Sequence, residues 1–308
     1  MQKHFMQRPW IDWLLFTALC IIWGSSFFLM KVGMRELSAY QVASIRILSA
    51  GLVLIPFVKK AWQSIPRAQV GRVMLSGLIG SFFPAYLFCM AETKIDSAMA
   101  GILNALTPLF TLLVGIFFFQ LKARFLQILG TLIGFVGLSL LMVLGTGFQW
   151  GNIGYSMLVI LATLLYGLNV NMVGRYMKGI GALDIASLAF VLLIIPSLTI
   201  LAYTGYFQMA LLKPSVLQSS AAAGVLGIMG TAIASIIFYM LVKRAGPVFA
   251  SMVTYGIPFV AVAWGLLRNE QINLQQFFCL LIILVGVYLV NKPQKKADPA
   301  VESAETNS

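Results

Sequence analysis

The sequence predicts an all-α integral membrane protein whose ten transmembrane helices form two inverted five-helix repeats. Three observations predict this fold: an apolar composition, ten apolar runs of membrane length, and marker residues that recur in order in both halves. Hydrophobic residues make up 60% of the 308 residues and charged residues 10%. Soluble domains have roughly 45–50% hydrophobic residues and about 25% charged residues. The composition therefore excludes a soluble domain, a disordered chain and a disulfide scaffold.

Ten apolar runs supply the predicted helices. They lie near residues 11–31, 39–58, 71–91, 97–119, 126–145, 153–174, 184–204, 221–242, 248–268 and 273–291. A helix of about 20 residues crosses a hydrocarbon core roughly 30 Å thick, and a spanning segment must satisfy its own backbone groups in lipid. Barrel strands would alternate polar and apolar residues, and these runs do not. The runs therefore predict helices in a lipid bilayer.

The charges predict the orientation. Of the 21 Lys and Arg residues, fifteen fall in one set of alternate loops and tails, five fall in the other set, and Arg46 lies within a span. Cytoplasmic loops carry the excess of Lys and Arg in membrane proteins, so we expect both termini in the cytoplasm. The basic residues occur singly or in pairs. They form no continuous basic face of the kind that nucleic acid requires, so no nucleic-acid partner is expected.

Marker residues recur in the two halves of the chain. In the fourth and ninth runs, three markers align without gaps: Ala100, Pro108 and Gly115 with Ala250, Pro258 and Gly265. The pair Trp23–Gly24 recurs as Tyr166–Gly167. We therefore predict a first repeat at 11–145 and a second at 153–291, between an N-terminal cytoplasmic tail at 1–10 and a disordered cytoplasmic tail at 292–308. Because each repeat has five spans, the second enters the membrane inverted, an architecture of secondary transporters with midplane sites.

Polar groups within spans are the candidate substrate-binding residues, because they are costly in lipid. Arg46 lies about 12 Å into the second span by helical rise. Two interpretations stay open for it: a partner for a carboxylate, or a structural residue that bonds backbone carbonyls. Asn104 shares a helix face with Pro108, four residues later. It either lines a cavity or supports close helix packing.

Aromatic residues give the remaining candidates. Trp23 lies in the first span, Tyr166 shares a face with Asn169 in the sixth, and Tyr255 shares a face with Pro258 in the ninth. An aromatic stripe is also typical of lipid contact or core packing. Tyr166 and Asn169 rank higher, since each needs a polar partner in lipid. The predicted binding set is Trp23, Arg46, Asn104, Tyr166, Asn169 and Tyr255.

An enzyme is the less favoured alternative. The only histidine is His4, and HExxH is absent. Acidic residues do not cluster at ligand spacing, so we expect no catalytic residue, no metal and no cofactor. No acid occupies the middle of a span, which disfavours a central carboxylate relay for protons. The sequence also lacks a GxxxxGK[ST] motif for ATP.

At four motifs the chain resembles the drug/metabolite transporter superfamily, specifically its EamA-type ten-helix members. The motifs are WGSSFFLMKVG at 23–33, ASIRILSAG at 43–51, ALTPLFTLLVGIFF at 105–118 and YGIPFVAVAWGLLRNEQINLQQF at 255–277. The resemblance implies two inverted repeats around a central pocket in a bacterial cytoplasmic membrane. Family members commonly carry an acid at the end of the fourth and ninth spans. Glu270 fits the ninth, whereas Gln120 takes that place in the fourth.

The leading hypothesis is a secondary transporter that exports a small organic metabolite such as an amino acid by alternating access. Pro108, Pro258, Gly115, Gly265 and Glu270 are expected to be structural or hinge residues. Drugs, sugars or nucleosides are alternative substrates, and a non-transporting membrane scaffold is a further alternative. The sequence leaves the direction of flux, the coupling ion and the formation of a homo-oligomer open.

Overall fold

The structure, a computed structural model, describes residues 9–95, 97–146, 153–266 and 274–292. In these ranges the regular secondary structure is helical, without strands. The helices are α1 (Pro9–Gly33), α2 (Ala39–Ser64), α3 (Arg67–Ala91), α4 (Ser97–Asn104), α5 (Thr107–Phe119), α6 (Phe125–Thr146), α7 (Ile153–Tyr176), α8 (Ala182–Tyr203), α9 (Pro214–Ala245), α10 (Pro247–Ser251), α11 (Val253–Leu266) and α12 (Leu274–Asn291). A short 3₁₀ turn at Tyr206–Gln208 precedes α9.

Six of these helices are long and apolar enough to cross a membrane: α1, α2, α3, α7, α8 and α9. Four shorter apolar helical stretches lie at Thr107–Phe119, Phe125–Leu141, Pro247–Val260 and Phe277–Val290. Each predicted apolar run falls on one helix or on a consecutive pair. The prediction of an all-helical membrane protein is therefore confirmed.

Two of the predicted continuous helices are instead each divided into two helices, and a single turn residue, Leu193, also interrupts α8. The run 97–119 divides into α4 and α5 around Ala105 and Leu106, and the run 248–268 divides into α10 and α11 at Met252. Pro108 lies in the first turn of α5, where its missing N–H would have had no intrahelical partner. Pro258 lies inside α11. Pro108 therefore lies at the start of a helix, whereas Pro258 lies within one.

Glycines allow several helix pairs to approach closely. Helices α6 and α12 pack along one another over an extended contact. A Cβ atom at Gly286 would lie 2.5 Å from the Gly134 nitrogen and 2.6 Å from the Gly130 carbonyl oxygen. Both obstacles are backbone atoms, which have no rotamer to change. In lipid the hydrophobic effect does not drive helices together, and close packing of small residues stabilises their association instead.

This contact predicts that Gly286→Ala destabilises the fold. Overpacking of this kind costs about 1–3 kcal/mol, so the unfolding temperature in detergent should fall by several degrees. The matched control is Gly224→Ala within α9, where an added Cβ meets no atom within 4 Å. Equal unfolding temperatures for the two variants would contradict the packing described.

Candidate functional site

A central cavity lies where residues of α1, α2, α3, α7, α9 and the two broken helices meet. Its volume is about 110 Å³. A single buried water needs roughly 10–15 Å³ on this measure, so the cavity has room for several waters or a small organic molecule. Its walls combine aromatic rings with hydroxyl and amide groups, and this combination is typical of small-molecule sites.

Five of the six predicted binding residues line this one cavity: Trp23, Arg46, Asn104, Tyr166 and Asn169. The sequence separates them widely, and four different helices bring them together. Their contact with a substrate stays a prediction.

Tyr255 lies elsewhere, which corrects its expected place in the cavity wall. It is fully buried, and its hydroxyl donates to the Thr131 carbonyl oxygen on α6 at 3.1 Å. Its ring fills the space beside Gly134. Its neighbours Thr254 and Ile257 face the cavity instead. Consecutive residues of a helix point about 100° apart (3.6 residues per turn). The sequence therefore identified a segment that borders the cavity, but Tyr255 lies on the face of that segment that packs against α6.

Arg46 is the only charged residue in the described lining of the cavity. Its Nε donates to the Thr231 hydroxyl on α9 at 2.6 Å. This hydrogen bond crosses between the N-terminal and C-terminal halves of the chain. It fixes one edge of the guanidinium group, so the arginine is held at the wall rather than snorkelling along its helix.

Two π-helical turns face the cavity, and the sequence prediction missed both. They lie at Leu78–Phe82 within α3 and at Ile228–Ile233 within α9. Such wide turns are rare and occur frequently at functional sites. The second turn exposes the Gly230 carbonyl oxygen, which accepts a hydrogen bond from the Trp23 indole at 3.0 Å. The repeated Gly-x-x-Gly patterns at 77–80 and 227–230 are the sequence signal that marks these turns.

The first π turn is shaped around Asn169. A Cβ atom at Gly80 would lie 2.1 Å from the Asn169 Nδ2 atom. The Ser76 hydroxyl donates to the Asn169 Oδ1 atom at 2.6 Å, and the Tyr239 hydroxyl lies 3.4 Å from that of Ser76. These buried partners hold the amide in one orientation at the cavity wall.

The helix breaks at Ala105–Leu106 and at Met252 also lie at the cavity. Asn104 ends α4 and Thr107 begins α5, and the Thr107 hydroxyl donates to the Asn104 Oδ1 atom at 3.2 Å. Ser251 ends α10, and Thr254 lies in the first turn of α11. All four residues line the cavity. Broken helices whose ends meet a central site are a recurring feature of transporters.

Tyr166 forms part of the aromatic wall. Its ring stacks on Phe88 with centroids 6.1 Å apart and an interplanar angle of 27°. Trp23 packs against Phe238 in a tilted arrangement at 5.3 Å. Two aromatic pairs, each joining one ring from the N-terminal half to one from the C-terminal half, therefore border the same space.

The structure describes most of the residues that the sequence predicted to be structural or hinge residues. At Gly115 a Cβ would meet the Asn171 amide oxygen at 2.7 Å. Gln120 adopts a left-handed conformation at the end of α5, and Arg175 donates to its side-chain oxygen at 3.0 Å and also to the Phe119 carbonyl oxygen. Gly265 belongs to α11. Glu270 lies outside the described residues.

The described ranges contain no candidate metal site. No group of three or more His, Cys, Asp or Glu side chains there is arranged to hold a metal ion. The expectation of no cofactor stays an expectation.

An apolar helical bundle around a partly polar central cavity is typical of membrane carriers. The chain belongs to the EamA-like transporter family, whose model matches residues 10–143 and 153–292. The family resemblance seen in the sequence is thereby confirmed. Together with the membrane-length helices and the relatives below, this makes the chain a multi-pass protein of the bacterial inner membrane.

Several known proteins are similar to this chain. The Uncharacterized inner membrane transporter YedA of Escherichia coli strain K12 is 28% identical over 284 residues, covering 89% of this chain and 88% of that protein. The Probable amino-acid metabolite efflux pump of Salmonella typhimurium is 25% identical over 131 residues, 42% of each chain. A solved crystal structure, 15% identical, matches with a TM-score of 0.68 over 97% of this chain and 99% of that chain. That structure shows a shared fold.

The close contact between Asn169 and Gly80 predicts that mutations of these two residues are energetically coupled. Gly80→Ala should push the amide away and break its bond to Ser76, at a cost of about 0.5–1.5 kcal/mol. In an Asn169→Ala background the obstacle is gone, so the same Gly80→Ala change should cost nothing further. Thermal unfolding of the four proteins in detergent measures this coupling. Additive effects would show that the two residues do not meet.

Proposed function

We propose that the chain is a secondary transporter that exports a small organic metabolite, such as an amino acid, by alternating access between two inverted five-helix halves. One observation carries this proposal: corresponding residues of the two halves line the same central cavity. A cavity made this way can open to either side of the membrane when the halves exchange conformations.

The two π turns give the first example of corresponding residues in the two halves. The gapless alignment that pairs Ala100 with Ala250 also pairs Gly80 with Gly230. A Cβ atom at Gly80 would meet Asn169, and one at Gly230 would meet the Ser26 hydroxyl at 2.7 Å. The alignment that pairs Trp23 with Tyr166 pairs Ser26 with Asn169. The same contact between the two halves is therefore made twice, with the roles of the halves exchanged.

A second contact repeats in the same manner. A Cβ atom at Gly24 would lie 2.8 Å from the Val260 Cβ atom, and one at Gly167 would lie 2.9 Å from the Phe110 carbonyl carbon. Gly24 pairs with Gly167 and Phe110 with Val260 in the same two alignments. The two stretches matched by the family model also divide the chain at this boundary. These pairs support a ten-helix inverted repeat.

The orientation follows from the loop charges. We infer that both termini lie in the cytoplasm, because fifteen of the 21 basic residues fall in the loops and tails on that side. A single cysteine in the tail at 292–308 should react with a membrane-impermeant reagent only after the cells are opened. Labelling in intact cells would contradict this orientation.

Amino acids are the favoured substrate class because a relative is named a probable amino-acid metabolite efflux pump. Drugs, sugars and nucleosides are the alternative substrates. A non-transporting scaffold is the alternative function, and it predicts no flux of any solute.

Transport by purified protein in liposomes tests the proposal. Saturable flux of a small metabolite is expected, and Gly230→Leu should abolish it by filling the cavity beside Ser26. Gly224→Leu is the matched control on α9, because that position faces open space. Elution on size-exclusion chromatography and thermal unfolding show that both variants fold. Unchanged flux in Gly230→Leu would mean that solutes do not pass through this cavity.

A further inference from the structure

We propose that Arg46 makes the central cavity selective for solutes that carry a carboxylate on a compact apolar body. The preferred ligands are monocarboxylates, including zwitterionic amino acids, and solutes with only a positive charge are excluded. This inference rests on the proposed function, because it identifies the substrate class of the same cavity.

The charge balance of the cavity supports an anionic ligand group. Arg46 contributes a positive charge, and the described lining contains no acidic residue. Lys213 pairs with Glu36 and Arg244 with Asp12, and neither of these pairs involves Arg46. A guanidinium held within a span is costly unless an anion compensates it. A ligand carboxylate supplies that compensation.

The geometry of the guanidinium group suits a carboxylate. Arginine has five N–H donors in a planar fork. Thr231 takes the one on Nε, and among the described residues the terminal nitrogens remain for a ligand. Two parallel N–H groups bind the two oxygens of a carboxylate together. The contact with Thr231 also orients the fork in advance.

The asymmetry of the two halves argues against a purely structural role for Arg46. Gly77 and Gly227 correspond in the two halves, and their added Cβ atoms would meet Ala189 and the Arg46 backbone, respectively. The alignment that pairs Trp23 with Tyr166 likewise pairs Arg46 with Ala189. An alanine therefore makes the equivalent helix contact, so the packing itself does not require arginine.

The remaining walls define the body of the ligand. Trp23, Phe27, Phe88, Tyr166 and Phe238 surround the space with aromatic surface. Such a lining favours an apolar side group. An α-ammonium is tolerated next to a carboxylate, because aromatic faces and amide oxygens accept a cation.

A matched series of four probes tests the selectivity: leucine, 4-methylpentanoate, leucinamide and isopentylamine, with the corresponding phenylalanine series beside it. The first two of each series carry a carboxylate, and the last two do not. Binding is measured by thermal shift of the purified protein, and flux is measured in liposomes. The carboxylates should bind at least about tenfold more tightly than the amide and amine.

Variants of Arg46 complete the test. Arg46→Gln should lower carboxylate affinity by about tenfold or more and remove the discrimination, whereas Arg46→Lys should retain part of it. Arg72→Gln, an exposed change outside the cavity that removes the guanidinium over Tyr176, should bind as the parent does. Size-exclusion chromatography confirms that each variant folds.

The outcomes separate the two proposals. Equal binding of carboxylates and amines, no carboxylate binding, or unchanged selectivity in a folded Arg46→Gln protein would overturn the assignment of Arg46, even where flux of other solutes upholds a transporter. Arg46-dependent binding without flux of any solute would uphold the assignment and overturn the transport function.

Discussion

The requirement that polar groups be satisfied within the protein governs this structure. Lipid offers no hydrogen bonds, so the backbone groups of a span must find partners inside the bundle, and polar side chains there are stabilised by such partners. Asn171 shows the principle: its amide donates to the carbonyl oxygens of Thr111 and Gly167. Likewise, the Trp23 indole donates to the carbonyl oxygen of Gly230, which lies in a π turn. The inward-facing polar groups that result form the walls of the central cavity.

Glycine contacts explain how the bundle closes around a cavity without a large hydrophobic driving force. Where helices cross, the added Cβ atoms would strike backbone at Gly286 and Gly167, so the backbones touch there. The space that remains lies between these crossings, at the breaks and π turns. Arg46 then introduces a charge into one half only, which makes an otherwise paired lining chemically asymmetric.

The sequence was sufficient to predict the helices, and five of the six predicted binding residues line one cavity. Apolar length identifies spans because the membrane fixes their length, and intramembrane polar residues such as Arg46 and Asn169 point inward because lipid is costly for them. Hydropathy carries no information on backbone hydrogen bonding, so the break at Met252 and the two π turns were not predicted. Tyr255 was misplaced because α11 is largely apolar, and the contact with Gly134 and the hydrogen bond to Thr131 on α6 determine which way the ring points.

The central claim is that one cavity between two interchanging halves is the transport pathway. Accessibility of Ser26, which lies within the cavity against Gly230, tests it most directly. Cys20, Cys89 and Cys279 are buried and would first be replaced, after which Ser26→Cys provides a single thiol. The account predicts that this thiol reacts with membrane-impermeant reagents applied from either face of the membrane, and that a transported solute slows both reactions. Reaction from one face alone under every condition, or no protection by any transported solute, would contradict it.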